Sequence, residues 1–196
     1  MIKNPITKPS GYAPRPEWEK SFAGSTYNFY ELSGPGTLVR LVQFQKITYD
    51  GLSLDASRRD GAFWIEEELL IRMRNQARSD LARQQKTATT PFATSFKSLM
   101  ALYIRHVLRN ELAVCKDWTN DFDGYVQIRL LATDKLMVMG GKVEQQPAYS
   151  SQHPQHEAVI SQNIILSGQA MQYVVDFRYK PNEPYGKRIH GPYQLA

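Results

Sequence analysis

The sequence predicts an α+β fold, and three observations favour it. An alternating, largely apolar strand is expected first, at residues 37–44. Two stretches with apolar residues at three- and four-residue spacing, 64–84 and 98–110, follow it and predict helices. Short strands separated by turn residues then fill 125–179, a pattern typical of an antiparallel meander.

Composition describes an ordinary globular protein with a mild excess of positive charge. Apolar residues make up 42%, charged residues 22%, and the formal net charge is +5 at pH 7. That charge is compatible with an acidic partner such as RNA or a nucleotide. A single cysteine, Cys115, excludes an internal disulfide and indicates a reducing compartment. The sequence contains neither an apolar signal region nor a membrane-spanning apolar run, so we expect no secretory signal and no membrane partner.

Residues 1–35 are predicted to be an irregular lead-in, and residues 36–196 to form one domain. Prolines interrupt the lead-in, so packing rather than regular structure would hold it. Its aromatic side chains available for that packing are Tyr12, Trp18, Phe22, Tyr27, Phe29 and Tyr30. The closing stretch 181–196 is rich in Pro, Gly, Lys and Arg and is expected to lie along the surface.

The first strand carries an arginine in an otherwise almost continuous apolar run. Alternation places Leu38, Arg40, Val42 and Phe44 on one face. A buried guanidinium needs an anionic partner. Arg40 therefore indicates either a structural ion pair or a site that binds an anion.

The first predicted helix, 64–84, begins with three glutamates and continues with cations. The cations are Arg72, Arg74, Arg78, Arg83 and Lys86. Charge in this order complements the helix dipole on a solvated face, and a ridge that binds phosphates is the alternative. Ahead of the second helix, Thr94 and Ser95 are residue types suited to capping.

Patterns for metal binding are weak. Asp117–Gly124 is acidic and rich in turn residues, but it lacks the spacing and the final bidentate glutamate of a calcium loop. His153 and His156 beside one glutamate are too few ligands for a zinc site. We therefore predict no metal site.

A carboxylate is predicted at the start of a late strand. The loop Pro147–Pro154 leads into Gln155-His156-Glu157, and an apolar strand is expected at Ala158–Ile160. In extended backbone Gln155 and Glu157 would face the same side. A strand behind a loop can hold one charged group in a set position. A solvated edge residue is the ordinary alternative.

In this order, the arginine, the hydroxyl pair and the glutamate motif resemble the R-S-E class of mono-ADP-ribosyltransferase toxins and effectors. That class carries an arginine on the first strand, a Ser-Thr-Ser in the middle, and Gln-x-Glu or Glu-x-Glu ahead of an apolar strand. The matching segments are Leu38-Val39-Arg40-Leu41-Val42, Phe92-Ala93-Thr94-Ser95-Phe96 and Gln155-His156-Glu157-Ala158-Val159-Ile160. The resemblance covers residues 37–177, and a few positions carry it.

The resemblance implies an ADP-ribosyltransferase-like fold with a split antiparallel β core and flanking helices, and NAD as the substrate. Arg40 would bind the phosphate or ribose of NAD. Further contacts with NAD would come from Thr94, Ser95 and Phe96. These residues would lie in one central cleft.

By the same resemblance, Glu157 would be the catalytic carboxylate. It would stabilise the positive charge that develops on the ribose as the nicotinamide bond breaks. Gln155 would face the acceptor. The first serine of the class aligns with Ala93, so the usual brace of the glutamate is absent or displaced to Thr94 or Ser95.

The class also implies a biological setting. We expect a bacterial toxin or effector, used in competition between bacteria and delivered by a secretion system into the target-cell cytoplasm, with an immunity or delivery protein as partner. The basic balance and Gln155 favour structured RNA slightly over a protein side chain as acceptor. Two alternatives stay open: an NAD glycohydrolase, and a basic RNA-binding module in which Arg40 is ion-paired and Glu157 is solvated.

Overall fold

The described part of the chain is a mixed α/β structure built on a curled antiparallel sheet. The computed structural model describes residues 1–42, 49–50, 53–54, 63–87, 96–114, 122, 124–149 and 151–195. Every strand pair in these ranges is antiparallel. A mixed structure with an antiparallel sheet and helices agrees with the predicted α+β class.

The elements are numbered here in chain order. The strands are β1 (Ile2–Ile6), β2 (Asn28–Ser33), β3 (Gly36–Val42), β4 (Tyr49–Asp50), β5 (Ser53–Leu54), β6 (Phe63–Glu66), β7 (Gly124–Leu130), β8 (Lys135–Lys142), β9 (Gln146–Pro147), β10 (Ile165–Leu166), β11 (Met171–Val174) and β12 (Ile189–Gln194). The α-helices are α1 (Pro16–Glu19), α2 (Glu67–Thr87), α3 (Phe96–Glu111), α4 (His156–Ser161) and α5 (Glu183–Gly186).

Eight of the strands form one sheet in the order β1-β2-β8-β11-β6-β3-β7-β12. Only Gly34 and Pro35 connect β2 to β3, although these strands lie four positions apart. Strands four positions apart in a flat sheet would be separated by about 19 Å, whereas three extended residues reach about 11 Å at most. The sheet therefore curls until its two halves face each other, and one face becomes concave.

The concave face, called the inner face from here on, is lined by a single apolar cluster. Alternate residues of the strands supply most of it: Leu32, Leu38, Trp64, Val126, Ile128, Leu130, Leu136, Val138, Tyr173 and Val175, with Phe177 and Tyr185 from the chain that follows. Because strand side chains alternate between faces, the polar residues that share these positions also point inward.

The helices α2 and α3 cover the part of the outer face that β3 and β6 form. Val39 and Ile65 of the sheet pack against apolar residues of the two helices, which include Leu70, Met73, Ala77, Leu81, Met100, Ile104 and Leu108. Apolar residues at three- and four-residue spacing thus form the buried faces of both helices, and both predicted helices are confirmed. The first helix begins later than predicted because Phe63–Glu66 forms β6.

The lead-in is more regular than the sequence predicted. Residues 1–35 contain β1, α1 and β2, and β1 forms one edge of the large sheet. Pro5 is compatible with that position because an edge strand does not need every backbone donor. The expected aromatic packing is confirmed for Tyr12, Trp18 and Phe22, which are buried.

The C-terminal stretch is also more ordered than predicted. Residues 181–196 were expected to lie along the surface, yet β12 pairs with β7 as the opposite edge of the sheet. Asn182 is fully buried and exchanges hydrogen bonds with the backbone of Met137, accepting at 3.0 Å and donating at 2.7 Å. These bonds attach the tail to β8.

Candidate functional site

Arg40 lies on the inner face of β3, near the middle of the sheet. Leu38 contributes to the inner cluster and Val42 packs against it, and Arg40 shares their side of the strand. Its Cα partner on the neighbouring strand is Val126. The side chain is half-buried, and it interacts with another group of the protein. The predicted strand and the predicted face of Arg40 are both confirmed.

The glutamate motif has a different local structure from the predicted one. Residues 156–161 form α4, so the expected strand at Ala158–Ile160 is wrong. Gln155 is the N-cap, with φ −88° and ψ 3°, and is therefore not extended. Helical positions two apart differ by about 200° around the axis, so Gln155 and Glu157 do not share a side. Both residues are exposed.

Side-chain contacts hold one end of α4. A single buried residue determines which face of this helix packs against the rest of the protein. Val159 is that residue, in a small cluster with Ala113, Val143, Ala148 and Leu166. The other residues of α4 are half-buried or exposed. One apolar anchor gives a six-residue helix few packing restraints.

The residues ahead of α4 form local hydrogen bonds that fix two histidines. The Nδ1 atom of His156 donates to the carbonyl oxygen of Tyr149 at 3.0 Å, because that oxygen can only accept. The backbone N–H of Gln155 donates to Nδ1 of His153 at 3.1 Å. The ring of His153 stacks on Tyr149, with 4.2 Å between centroids. These bonds organise the loop, and they do not reach toward β3.

The remaining residues predicted to contact NAD do not connect Arg40 with Glu157 among the described residues. Thr94 and Ser95, with Ala93, lie outside the described residues, and Phe96 is the first residue of α3. Arg40 stands between β6 and β7, whereas Glu157 belongs to a helix that packs on β9. The described residues therefore place the arginine and the motif glutamate in different packing clusters.

A different glutamate, Glu66, lies next to Arg40 on the sheet. It is the last residue of β6, directly ahead of α2, and its Cα partner on β3 is Leu38. Paired residues of antiparallel strands share a face, so Glu66 points to the inner face like Leu38 and Arg40. The sequence predicted Glu66 to be the first of the three glutamates at the start of the helix. The apolar run Phe63-Trp64-Ile65 before it was the signal for a strand.

Glu66 is held by two side chains that are distant from it in the sequence. The Tyr173 hydroxyl donates to Oε1 of Glu66 at 2.8 Å, and Nζ of Lys3 lies 2.5 Å from the same oxygen. The Lys3 ammonium also lies 5.8 Å from the centroid of the Tyr173 ring. We call these three residues the Glu66 cluster. Lys3 is on β1, four strand positions from β6, and it reaches Glu66 because the sheet curls.

The surroundings of the Tyr173 hydroxyl in the Glu66 cluster keep that hydroxyl protonated. Burial, followed by the hydrogen bond to Glu66, raises the pKa of Tyr173 well above its ordinary value. Tyr173 therefore remains a hydrogen-bond donor across the neutral pH range. Glu66 itself is mostly buried, with a side chain 21% exposed, which leaves part of it open to a ligand.

Trp64 provides an unsatisfied donor beside this cluster. It precedes Glu66 by two residues on the same face of β6, and it is fully buried. Within the described ranges its indole Nε1 has no hydrogen-bond acceptor. Buried donors are seldom left unpaired, because each costs about 1–3 kcal/mol. An acceptor atom that entered the inner face would remove that cost.

The residues that the structure describes form no group of three or more His, Cys, Asp or Glu placed to hold a metal ion. The helices of the described residues also include none that is both long and apolar enough to cross a membrane.

Comparison of the chain with protein-family models, curated proteins and solved structures finds no match.

Proposed function

We propose that the protein is an NAD-dependent mono-ADP-ribosyltransferase of the toxin or effector type, which transfers ADP-ribose to a macromolecule. The observation that carries the proposal is the half-buried arginine on the inner face of the first long strand. A guanidinium in an apolar strand is suited to a phosphate, because it offers paired donors and stays charged. The order of the three sequence motifs supports the same function.

In this proposal the reaction breaks the bond between nicotinamide and the ribose of NAD. Positive charge develops on the sugar, and a nearby carboxylate lowers the barrier by stabilising that charge. Arg40 binds the phosphate or ribose, with Thr94, Ser95 and Phe96 as further contacts. The resemblance assigns the carboxylate to Glu157. Because Gln155 and Glu157 point to different sides of α4, their roles rest on the sequence resemblance alone.

Structured RNA is the acceptor that we propose. The chain carries a net charge of +5, and α2 exposes Arg72, Arg78, Arg83 and Lys86. Such cations bind phosphates without regard to sequence. In the same proposal, the protein acts in the cytoplasm of a target cell and has an immunity or delivery protein as partner.

Incubation with NAD labelled in its adenylate phosphate tests the reaction and the acceptor together. The wild-type protein is added to a bacterial lysate, and portions are treated with nuclease or with protease. We expect label in macromolecules that nuclease removes and protease does not. Label removed only by protease would make the acceptor a protein. Nicotinamide release without label would indicate a glycohydrolase, and unchanged NAD would contradict the proposed function.

The role of Arg40 has a separate test with a matched control. Arg40→Lys keeps the charge but loses the paired donors. We expect NAD turnover to fall about tenfold to 100-fold, since a hydrogen bond to a charged group contributes about 1.5–3 kcal/mol. Arg129→Lys changes an exposed arginine of β7 and should leave turnover unchanged. Equal turnover in both variants would remove Arg40 from the site.

A further inference from the structure

We propose that Glu66, and not Glu157, is the carboxylate that faces the sugar of NAD. This inference rests on the proposed function and changes the residue that performs its central step. Three observations support it: the shared face with Arg40, the partly open side chain of Glu66, and the unpaired indole N–H of Trp64.

The first observation concerns distance along the sheet. Glu66 is paired with Leu38, and Arg40 lies two residues further along β3 on the same face. Diagonal neighbours of this kind are separated by about 7–8 Å. Side chains that project inward from backbone positions at that separation can reach the phosphate and the sugar of one nucleotide. Glu157 has no comparable relation to β3, because its helix packs on β9.

The second observation concerns the contacts of Glu66. Both Tyr173 and Lys3 approach Oε1, so the contacts with these two residues leave Oε2 for a further partner. Tyr173 is fully buried, so its hydroxyl fixes the carboxylate from the interior. Lys3 comes from an edge strand whose five residues are all exposed. Lys3 is therefore the partner that a ligand can displace.

The third observation is independent of the carboxylate. Nε1 of Trp64 is a buried donor without an acceptor among the described residues, and it stands on the same face of β6 as Glu66. A ribose hydroxyl bound to Glu66 as a donor can accept from a neighbouring N–H, because a hydroxyl does both. A sugar thus satisfies a donor that the described residues leave unpaired.

The chemistry assigned to Glu66 is electrostatic. The bond between the nicotinamide nitrogen and ribose C1′ breaks, and its electron pair leaves with neutral nicotinamide. A lone pair of the acceptor forms the new bond to C1′, and the proton of the acceptor passes to solvent. Glu66 accepts a hydrogen bond from the ribose and faces the positive charge at C1′, which lowers the barrier to bond breaking.

Three glutamine variants separate this assignment from the alternatives. Glu66→Gln and Glu157→Gln change the two candidates. Glu31→Gln is the matched control, since Glu31 is also a strand glutamate with an ion pair, to Lys135 at 3.2 Å, and has a side chain 32% exposed. Nicotinamide release, the dissociation constant of NAD and the midpoint of thermal unfolding are measured for each variant and for wild type.

We expect Glu66→Gln to lower the rate of nicotinamide release about 100-fold, the size of effect that loss of one charge-stabilising group produces, while NAD still binds. Glu157→Gln and Glu31→Gln should stay within about threefold of wild type, as surface changes usually do. An active wild type together with a fully active Glu66→Gln variant would overturn the assignment alone. A wild type that releases no nicotinamide would overturn the proposed function itself.

Stability is controlled in two ways. Glu66→Asp keeps the charge and shortens the side chain, so it should retain more activity than Glu66→Gln at the same unfolding midpoint. If Glu66→Gln does not fold, Glu157→Gln decides the question. Retained activity in Glu157→Gln supports Glu66, and a loss of about 100-fold contradicts it.

Discussion

Glu66 and Glu157 both lie at the start of a helix, and they differ in what surrounds them. Glu66 follows Trp64 and Ile65, which are 0% and 3% exposed, and precedes a helix of 21 residues. Glu157 lies in a helix of six residues with Val159 as its one buried side chain. The first junction is fixed by the core on both faces of the sheet, and the second by a small peripheral cluster.

The comparison shows that a motif's spacing does not decide where a charged group is held firmly. A catalytic group needs neighbours that lock its position. Glu66 has Tyr173 as such a neighbour, whereas Glu157 is exposed to solvent. This difference in packing should be measurable in solution.

The largest expected effect is on stability, and it compares alanine substitutions in the apolar cluster of the inner face and in the small cluster around Val159. Leu38→Ala, beside Glu66, should lower the free energy of unfolding by about 2–5 kcal/mol, because it leaves a cavity in the inner face. Val159→Ala, in α4, should lower it by about 1–2 kcal/mol, because it removes fewer buried carbons. Denaturant unfolding of both variants measures the two losses. Equal losses would mean that α4 is anchored as firmly as the sheet.

An intermediate effect is expected for Tyr173→Phe, which removes the donor to Glu66. At neutral pH the free energy of unfolding should fall by about 1 kcal/mol. Folding raises the pKa of Tyr173, so its contribution is complete below the unfolded value near 10. That contribution is lost as pH rises further, when unfolding lets the hydroxyl ionise.

The alkaline loss of stability should therefore be less steep in Tyr173→Phe than in wild type. Chemical unfolding between neutral and alkaline pH measures this slope. Tyr149→Phe, ahead of α4, is the control and should retain the wild-type slope. An unchanged slope in Tyr173→Phe would show that the Glu66 cluster does not form in solution.

The smallest expected effect is that of Lys3→Met. The Lys3 side chain is 38% exposed, and ion pairs of this kind contribute less than about 1 kcal/mol. The midpoint of thermal unfolding should fall only slightly in this variant, and the difference from wild type should be smaller still at high salt. A loss of several kcal/mol would show instead that Lys3 closes the sheet, which would argue against its displacement by a ligand.

The sequence predicted the regular parts of the fold because their patterns were long. The strand with Arg40 was expected at 37–44 and spans Gly36–Val42 in the described residues, and the helix expected at 98–110 spans Phe96–Glu111. Many consecutive turns or pleats share one periodicity there. The face of Arg40 followed from that periodicity.

Shorter patterns gave wrong predictions for a physical reason. In Ala158-Val159-Ile160 only Val159 is buried, and one inward residue among three fits a strand and a helix equally well. β1 was missed because its residues are exposed and contain Pro5, so no alternation marks it. The ion pair of Lys3 with Glu66 depends on the curl of the whole sheet, and no local pattern reports that.

The most direct measurement is a crystal structure with an NAD analogue whose nicotinamide–ribose bond cannot be cleaved. Our account predicts the nicotinamide ribose on the inner face, hydrogen-bonded to Glu66, with Arg40 on a phosphate or ribose oxygen and Lys3 displaced from Oε1. A ribose bound at Glu157, or an analogue bound away from both Arg40 and Glu66, would contradict it.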